Sequence, residues 1–428
     1  MRLRLGSSSL ATLLGSAAFS QLILIAASPL LTRLYSTSEL GLFSVYLSAA
    51  MAVAVLITLR LEFAIAAVRQ DGEVMPLLVL IGAVALAMTL LAYAVVLAGT
   101  VGDAPLIASP SLRDLAWWIP LGALAIAGNE TLRYVAVRRR RYRELARSGV
   151  ARSVTQVGGQ CLGAVLRADT VTLIAGQLFA LGASSLHLVG RAPGGRVPLL
   201  ARLREQLPRL RAVLAQHREF PLLMAPLGLM NTLSLYLPNF ALAYHYSPAF
   251  VGLFAMAQRL IALPMLFVGK SVAEHYLGEF ASAVRTDPAG AVALYRRYLR
   301  RLTAVGLGVV AIAALPGREV YRVLLGTEWG DVAPLVTCLS LGYAGQLVAS
   351  PLAQTLVVLD RKAWLLWWDG SRLVINLAIF AAPALFPIAP FDLVLAYSAA
   401  MLLAYAALTV VIHRAITAGE PSPAGPAP

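Results

Sequence analysis

Stretches long enough to cross a bilayer and free of Asp, Glu, Lys and Arg recur along this chain, among them Leu5–Thr32, Leu40–Leu59, Val74–Gly102, Thr170–Gly190 and Val332–Leu359. A hydrocarbon core takes about 20 apolar residues as a helix. A further uncharged run, Phe220–Gln258, is too long for one helix and breaks at Tyr246-Ser-Pro248. Composition agrees, with 59% hydrophobic residues, 13% charged residues and a mean hydropathy of +0.76, where soluble domains carry about 25% charge. The fold class is therefore all-α: a polytopic integral membrane protein with about 12 transmembrane helices in two pseudo-equivalent six-helix lobes. The expected spans are 9–31, 40–60, 76–98, 114–136, 149–167, 170–190, 220–243, 249–270, 302–317, 332–358, 363–386 and 391–412. The basic start Met1-Arg-Leu-Arg4 precedes an apolar run longer than a signal core, so the first segment is expected to remain as a span.

An internal repeat divides the chain. Tyr35-Ser-Thr-Ser-Glu-Leu-Gly-Leu-Phe43 returns 211 residues later as Tyr246-Ser-Pro-Ala-Phe-Val-Gly-Leu-Phe254, with five of nine positions identical. Each copy links two apolar runs. A helix–link–helix unit recurring at half the chain length suggests two similarly built membrane halves, an architecture of transporters that rock two lobes around a central site. The expected organisation is a lobe over 1–190, a basic linker over 191–218, a second lobe over 219–413 and a disordered cytoplasmic tail over 414–428. In the linker, Leu199, Leu200, Leu203, Leu207, Leu210 and Leu214 follow helical spacing between arginines, as a surface helix would.

Arginine sets the orientation. With the amino terminus inside, the cytoplasmic loops hold Arg138–Arg141, Arg143, Arg147, Arg296, Arg297, Arg300 and Arg301, while the other face keeps only a scatter such as Arg113 and Arg318. That asymmetry places both termini in the cytoplasm. It also accounts for the net charge of +14 through topology and anionic membrane lipids, without nucleic acid. All six tryptophans (117, 118, 329, 364, 367 and 368) fall near expected span ends, where amphipathic rings prefer to lie.

Catalytic chemistry is missing. His187, His217, His245, His275 and His413 are scattered without metal-ligand spacing, and Cys161 and Cys338 sit inside spans as packing residues. No phosphate-binding loop for ATP occurs. The chain reads as a non-enzyme that needs neither cofactor nor metal.

Ionisable residues within spans are the informative ones, because charge in hydrocarbon must face a bundle interior or a watery cavity. Arg259, beside Gln258, stands well inside the eighth expected span with no acidic residue within a helical turn of it in sequence. Glu130–Arg133 and Asp369–Arg372 share i,i+3 spacing, which suits either a neutralising structural pair or a cavity role. Gln156 and Gln160 share one helix face. Arg33 and Arg60, at span ends, read either as snorkelling to headgroups or as cavity cations.

The wording around these residues resembles a known family. Leu31-Thr-Arg-Leu-Tyr-Ser-Thr-Ser-Glu-Leu-Gly-Leu-Phe43, then Thr58-Leu-Arg-Leu-Glu62, is similar to the opening of the bacterial Wzx-type polysaccharide flippases. So are Gly252-Leu-Phe-Ala-Met-Ala-Gln-Arg-Leu-Ile-Ala-Leu-Pro264, and Leu325-Gly-Thr-Glu-Trp329 followed by Ser350-Pro351, although Leu325 stands where the family has Phe. The resemblance runs over nearly the whole chain and places it in the polysaccharide-transporter branch of the multidrug/oligosaccharidyl-lipid/polysaccharide exporter superfamily. It implies translocation of an undecaprenyl-pyrophosphate-linked oligosaccharide across the cytoplasmic (inner) membrane by alternating access. It also implies a pyrophosphate-binding cavity with Arg259, joined by Arg60 and Arg33, and cavity or coupling roles for Gln258, Glu130, Arg133, Asp369 and Arg372. The implied partners are the lipid-linked oligosaccharide, membrane lipids, a polysaccharide polymerase and a chain-length regulator. A multidrug or cation exporter of the same superfamily is the competing reading; it would prefer an acidic, aromatic cavity.

Overall fold

The computed structural model describes residues 7–68, 70–101, 110–189, 210–264, 270–286 and 288–417. Among these residues the regular structure is helical throughout, with no strand. The chain divides into two compact units, Met1–Ala243 with Ser247–Gly252, and Tyr244–Tyr246 with Leu253–Pro428.

The first unit begins with α1 (Ser7–Ala26) and α2 (Ser28–Leu34), then α3 (Thr37–Thr58), α4 (Glu62–Ala67) and α5 (Val74–Val101). It continues through α6 (Pro110–Ala116), α7 (Trp118–Arg138), α8 (Tyr142–Leu166), α9 (Thr170–Val189) and α10 (Leu210–Gln216). A π-helical turn, Phe220–Met224, leads into α11 (Ala225–His245). The start of α3 is written in Ser36-Thr-Ser-Glu39. Ser36 Oγ accepts from the Glu39 amide at 3.3 Å, while the Ser36 amide donates to Glu39 Oε2 at 2.8 Å. That reciprocal box satisfies two of the helix's free N–H groups. Helix α3 packs on α7, and α8 lies against both α1 and α9. The core between α3, α7 and α9 includes Tyr46, Ile57, Ile126, Ile174 and Leu181; a second cluster joins Leu61, Ile65, Leu77 and Phe220.

Helix α12 (Pro248–Pro264) carries the division between units, its residues up to Gly252 grouping with the first. The second unit continues with α13 (Lys270–Thr286), α14 (Pro288–Ala314) and α15 (Arg318–Leu325). Helices α16 (Val332–Leu352), α17 (Gln354–Val358), α18 (Lys362–Ala381) and α19 (Pro390–Thr417) complete it. Its core places Tyr276, Phe280, Tyr295, Leu302, Leu356 and Ile412 together, with the Tyr276 and Thr355 hydroxyls 2.6 Å apart. Elsewhere large apolar side chains point outward, such as Leu166 at 90% and Trp367 at 81% exposure. On a water-soluble protein such surface would be a liability; in a bilayer it is the face lipid covers.

Several sequence expectations are corrected. Among the described residues, seven helices are long and apolar enough to cross a membrane, and an eighth crossing arises if α14 and α15, bent by 78°, form one span. Length and composition of these residues alone do not confirm the count of about twelve. Helices α7 and α8 form where spans were expected, but α7 carries Glu130 and Arg133 and α8 carries Arg143, Glu144, Arg147 and Arg152. The span expected at 249–270 is helical over Pro248–Pro264, and residues 265–269 lie outside the described residues. The one expected at 302–317 begins far earlier, at Pro288, because the arginine-rich stretch before Leu302 remains helical. The first span breaks between α1 and α2, at Ala27, just before Pro29. Trp329 is 1% exposed, a packing residue and not an interfacial ring. The linker residues 191–209 and the tail 418–428 lie outside the described residues.

Candidate functional site

The turn after α3 concentrates polar strain in the first unit. Leu59 and Arg60 both adopt left-handed backbone, with φ of 50° and 59°, a conformation that costs a non-glycine residue about 1–2 kcal/mol. The reversal buries Glu62, whose side chain is 5% exposed, beside Arg60 at 24%, with Nη1 to Oε1 at 3.7 Å. Arg60 also lies 5.1 Å from the centre of the Phe63 ring. Its guanidinium rests on α11 at Gly228, where an added Cβ would stand 2.6 Å from Arg60 Nε. Thr58 lies beside the Glu62 carboxylate and favours its charged form, yet its Oγ1 falls outside hydrogen-bond geometry. Glu62 follows the last residue of the α3 span, and burial pushes its carboxyl above the usual range against the pull of Thr58 and Arg60.

Helix α7 supplies the neighbouring charges. Glu130 and Arg133 form an ion pair at 3.4 Å, and both bear electrostatically on Arg152 of α8. Asn129 faces elsewhere, donating to Ser184 and Ser185 of α9 at 3.0 Å each. Gln160 is a packing residue: its Nε2 donates to the Leu173 carbonyl at 3.1 Å, and its own carbonyl accepts from the Tyr35 hydroxyl at 2.7 Å. Arg138 donates to the carbonyls of Ile65 and Val68, closing the end of α4. Arg141 pairs with Glu144 and donates to the Leu188 carbonyl at 3.3 Å. Two arginines read from sequence as topology signals therefore also hold helix ends. Arg33 lies exposed near the end of α2.

The two copies of the repeated link meet within the first unit. A Cβ on Gly41 would fall on the Pro248 carbonyl and 2.8 Å from the Gly252 amide nitrogen. A Cβ on Gly252 would fall on the Thr37 carbonyl and 3.1 Å from the Gly41 amide nitrogen. Thr37 and Pro248, like Gly41 and Gly252, are 211 residues apart. Equivalent residues thus touch equivalent residues, a pseudo-two-fold crossing in which neither glycine tolerates a side chain. Both following helices are capped alike, Ser36 accepting from Glu39 and Ser247 from Phe250 at 3.2 Å. Spacing revealed the repeat; nothing in it revealed that the copies touch.

In the second unit, Arg259 is half-buried on α12, and the neighbouring Gln258 reaches the Tyr343 hydroxyl. Asp369 and Arg372 of α18 pair at 3.3 Å. Arg372 also lies 5.2 Å from the centre of the Trp368 ring and 3.4 Å from the Tyr405 hydroxyl. Of the three candidate cavity arginines, Arg33 and Arg60 belong to the first unit and Arg259 to the second. Among the described residues no group of three or more His, Cys, Asp or Glu is placed to hold a metal ion.

The sequence profile of the polysaccharide biosynthesis proteins matches residues 30–334. The chain belongs to that family. No curated protein matches it. Solved structures share its fold at low identity. One is an inward-facing multidrug-resistance MATE transporter of the MOP superfamily, with TM-score 0.64, 15% identity and coverage of 93% of this chain and 95% of that one. Another is the lipid II flippase MurJ in an inward closed conformation, with TM-score 0.62, 11% identity and coverage of 93% and 86%. The multidrug transporter DinF-BH, solved with R6G, gives TM-score 0.54, 15% identity and coverage of 98% and 99%. This polysaccharide biosynthesis protein therefore shares the multi-span fold of these transporters.

Proposed function

We propose that this protein is a flippase that moves undecaprenyl-pyrophosphate-linked oligosaccharide repeat units across the bacterial cytoplasmic membrane for surface polysaccharide synthesis. The match to the polysaccharide biosynthesis family over residues 30–334 carries the reading; a fold shared with a lipid II flippase supports it. The lipid tail stays among helices while the charged, sugared head crosses through a cationic cavity by alternating access. Arg259 is the principal pyrophosphate contact, joined by Arg60 and Arg33, because a guanidinium offers two parallel hydrogen bonds to phosphate oxygens. Gln258, Glu130, Arg133, Asp369 and Arg372 orient or couple the site. Both termini face the cytoplasm, and a polysaccharide polymerase and chain-length regulator receive the product. Likeness to multidrug transporters favours a second reading, export of amphiphilic cations.

The experiment replaces Arg259 in cells whose surface polymer depends on this protein. Arg259→Ala is expected to abolish or sharply reduce export at matched protein levels, and Arg259→Lys to restore part of it, since a point charge lacks the bidentate fork. Normal export by the alanine variant removes the pyrophosphate role. Resistance to cationic dyes conferred by the wild type, with no effect on polymer, selects the second reading.

A further inference from the structure

The turn at Arg60 holds a buried acid that the substrate reading leaves idle. Glu62 is 3% exposed, and its Oε2 has no hydrogen-bond partner. Thr58 Oγ1 and Arg60 Nε are likewise buried without partners. The Arg60–Glu62 approach of 3.7 Å is loose for two charges taken out of water, which need tight, hydrogen-bonded pairing to offset desolvation. The turn that sets them there is itself strained at Leu59 and Arg60, and such strain persists only where the surroundings impose it.

Two under-compensated charges in one buried turn have two ways to settle. The carboxylate stays ionised and holds the guanidinium, or an incoming anion takes the guanidinium and a proton neutralises the carboxylate. A protonated Glu62 then has an O–H to offer the free Thr58 Oγ1. The groups that bear on Glu62 are few. Helix α4 packs on α5 and α7. From α7 come Glu130, itself paired with Arg133, and Tyr134, while Arg138 is spent on the Ile65 and Val68 carbonyls. Helix α5 carries a single titratable group, Tyr93, packed against Trp117 at 6.3 Å. Glu130 is paired with Arg133 and sits near Arg152, so Glu62 is the carboxylate of this cluster whose cation, Arg60, is also a substrate candidate.

We propose that Glu62 competes with the substrate's pyrophosphate for Arg60, so that pyrophosphate binding is coupled to uptake of one proton by Glu62. This rests on the substrate reading above. The sign follows from linkage: a proton on Glu62 removes the competitor, so affinity is high at low pH and falls as pH rises through the Glu62 titration. One proton limits the slope to about tenfold per pH unit.

The test measures binding of undecaprenyl pyrophosphate, with undecaprenol as reference, to the protein in lipid nanodiscs from about pH 5 to about pH 9. Wild type is expected to lose affinity with rising pH and to take up about one proton per ligand bound, read as the dependence of binding enthalpy on the buffer's ionisation enthalpy. Glu62→Gln is expected to lose the wild type's fall in affinity with pH, to bind more tightly than wild type at high pH, and to take up about one proton fewer per ligand, the pyrophosphate's own ionisation at about pH 6 being common to both. Arg60→Gln is expected to bind weakly and to lack the same proton. Thermal unfolding in the same nanodiscs shows that each variant is folded; should Glu62→Gln fail to fold, the difference in proton count between wild type and Arg60→Gln decides. Equal slopes in wild type and Glu62→Gln, or no proton uptake by wild type, overturn the coupling and leave the substrate reading intact. Pyrophosphate lipid that binds no better than undecaprenol at any pH removes both.

Discussion

Adding one methyl group at the crossing of the two repeated links tests its geometry directly. In Gly252→Ala the new Cβ falls on the Thr37 carbonyl and lies 2.9 Å from that carbonyl's carbon. In Gly41→Ala it falls on the Pro248 carbonyl and lies 2.7 Å from its carbon. Both obstacles are backbone, so no side chain can swing aside and the helices themselves must part. Overpacking of this kind costs about 1–3 kcal/mol, offset by about 1 kcal/mol from alanine's better helix propensity. Each single variant is therefore expected to lose up to about 2 kcal/mol, and about 1–3 kcal/mol relative to an unobstructed glycine-to-alanine change. The pair should lose less than the sum by about 1 kcal/mol, because helices already parted by one methyl leave room for the other. Gly158→Ala on α8 is the control: nothing lies within 4 Å of its would-be Cβ, so it should be neutral or stabilising by up to about 1 kcal/mol. Reversible unfolding by SDS in mixed micelles reads all four variants. Single variants as stable as the control, or strictly additive losses, would show that these helices do not cross here.

The same crossing makes a cross-linking prediction: with Cys161 and Cys338 removed, cysteines in place of Ser36 and Ser247 should form a bridge on oxidation in membranes that blocks export reversibly. Efficient bridging with unchanged export would mean that the links never separate during transport. For topology, membrane-impermeant labelling of single cysteines at 211 and 216 should succeed from the cytoplasmic face only, and at 331 from the opposite face only. Labelling of 211 from outside would overturn the orientation read from the arginines.

Hydropathy found the apolar helices because it measures what lipid measures, side-chain transfer from water. It cut α14 short at Leu302 because Arg296, Arg297, Arg300 and Arg301 are poor lipid ligands, yet arginine is a good helix former and the helix runs on to Pro288. The capping box at Ser36 has a spacing signal that hydropathy passes over. The left-handed pair Leu59–Arg60 has none, since neither residue type favours that conformation and only the fold imposes it. For the candidate site, Arg60 stood out as a charge at a span end, but its engagement with Glu62 depends on a chain reversal that no periodicity reports. Arg259 was visible because charge is rare inside spans; the approach of its neighbour Gln258 to Tyr343 was not, because those two residues lie far apart in the chain.

The crossing at Gly41 and Gly252 is symmetric in position and unequal in stiffness. On one side the backbone in contact is that of Thr37, whose φ is free to adjust; on the other it is Pro248, whose ring locks φ at the first residue of α12. Two helices that bear on each other through such a contact form a bearing with one rigid and one compliant face. Any tilt the contact takes up is absorbed on the Thr37 side, at the entry to α3. A proline at position 37 would stiffen both faces alike and turn a bearing into a weld.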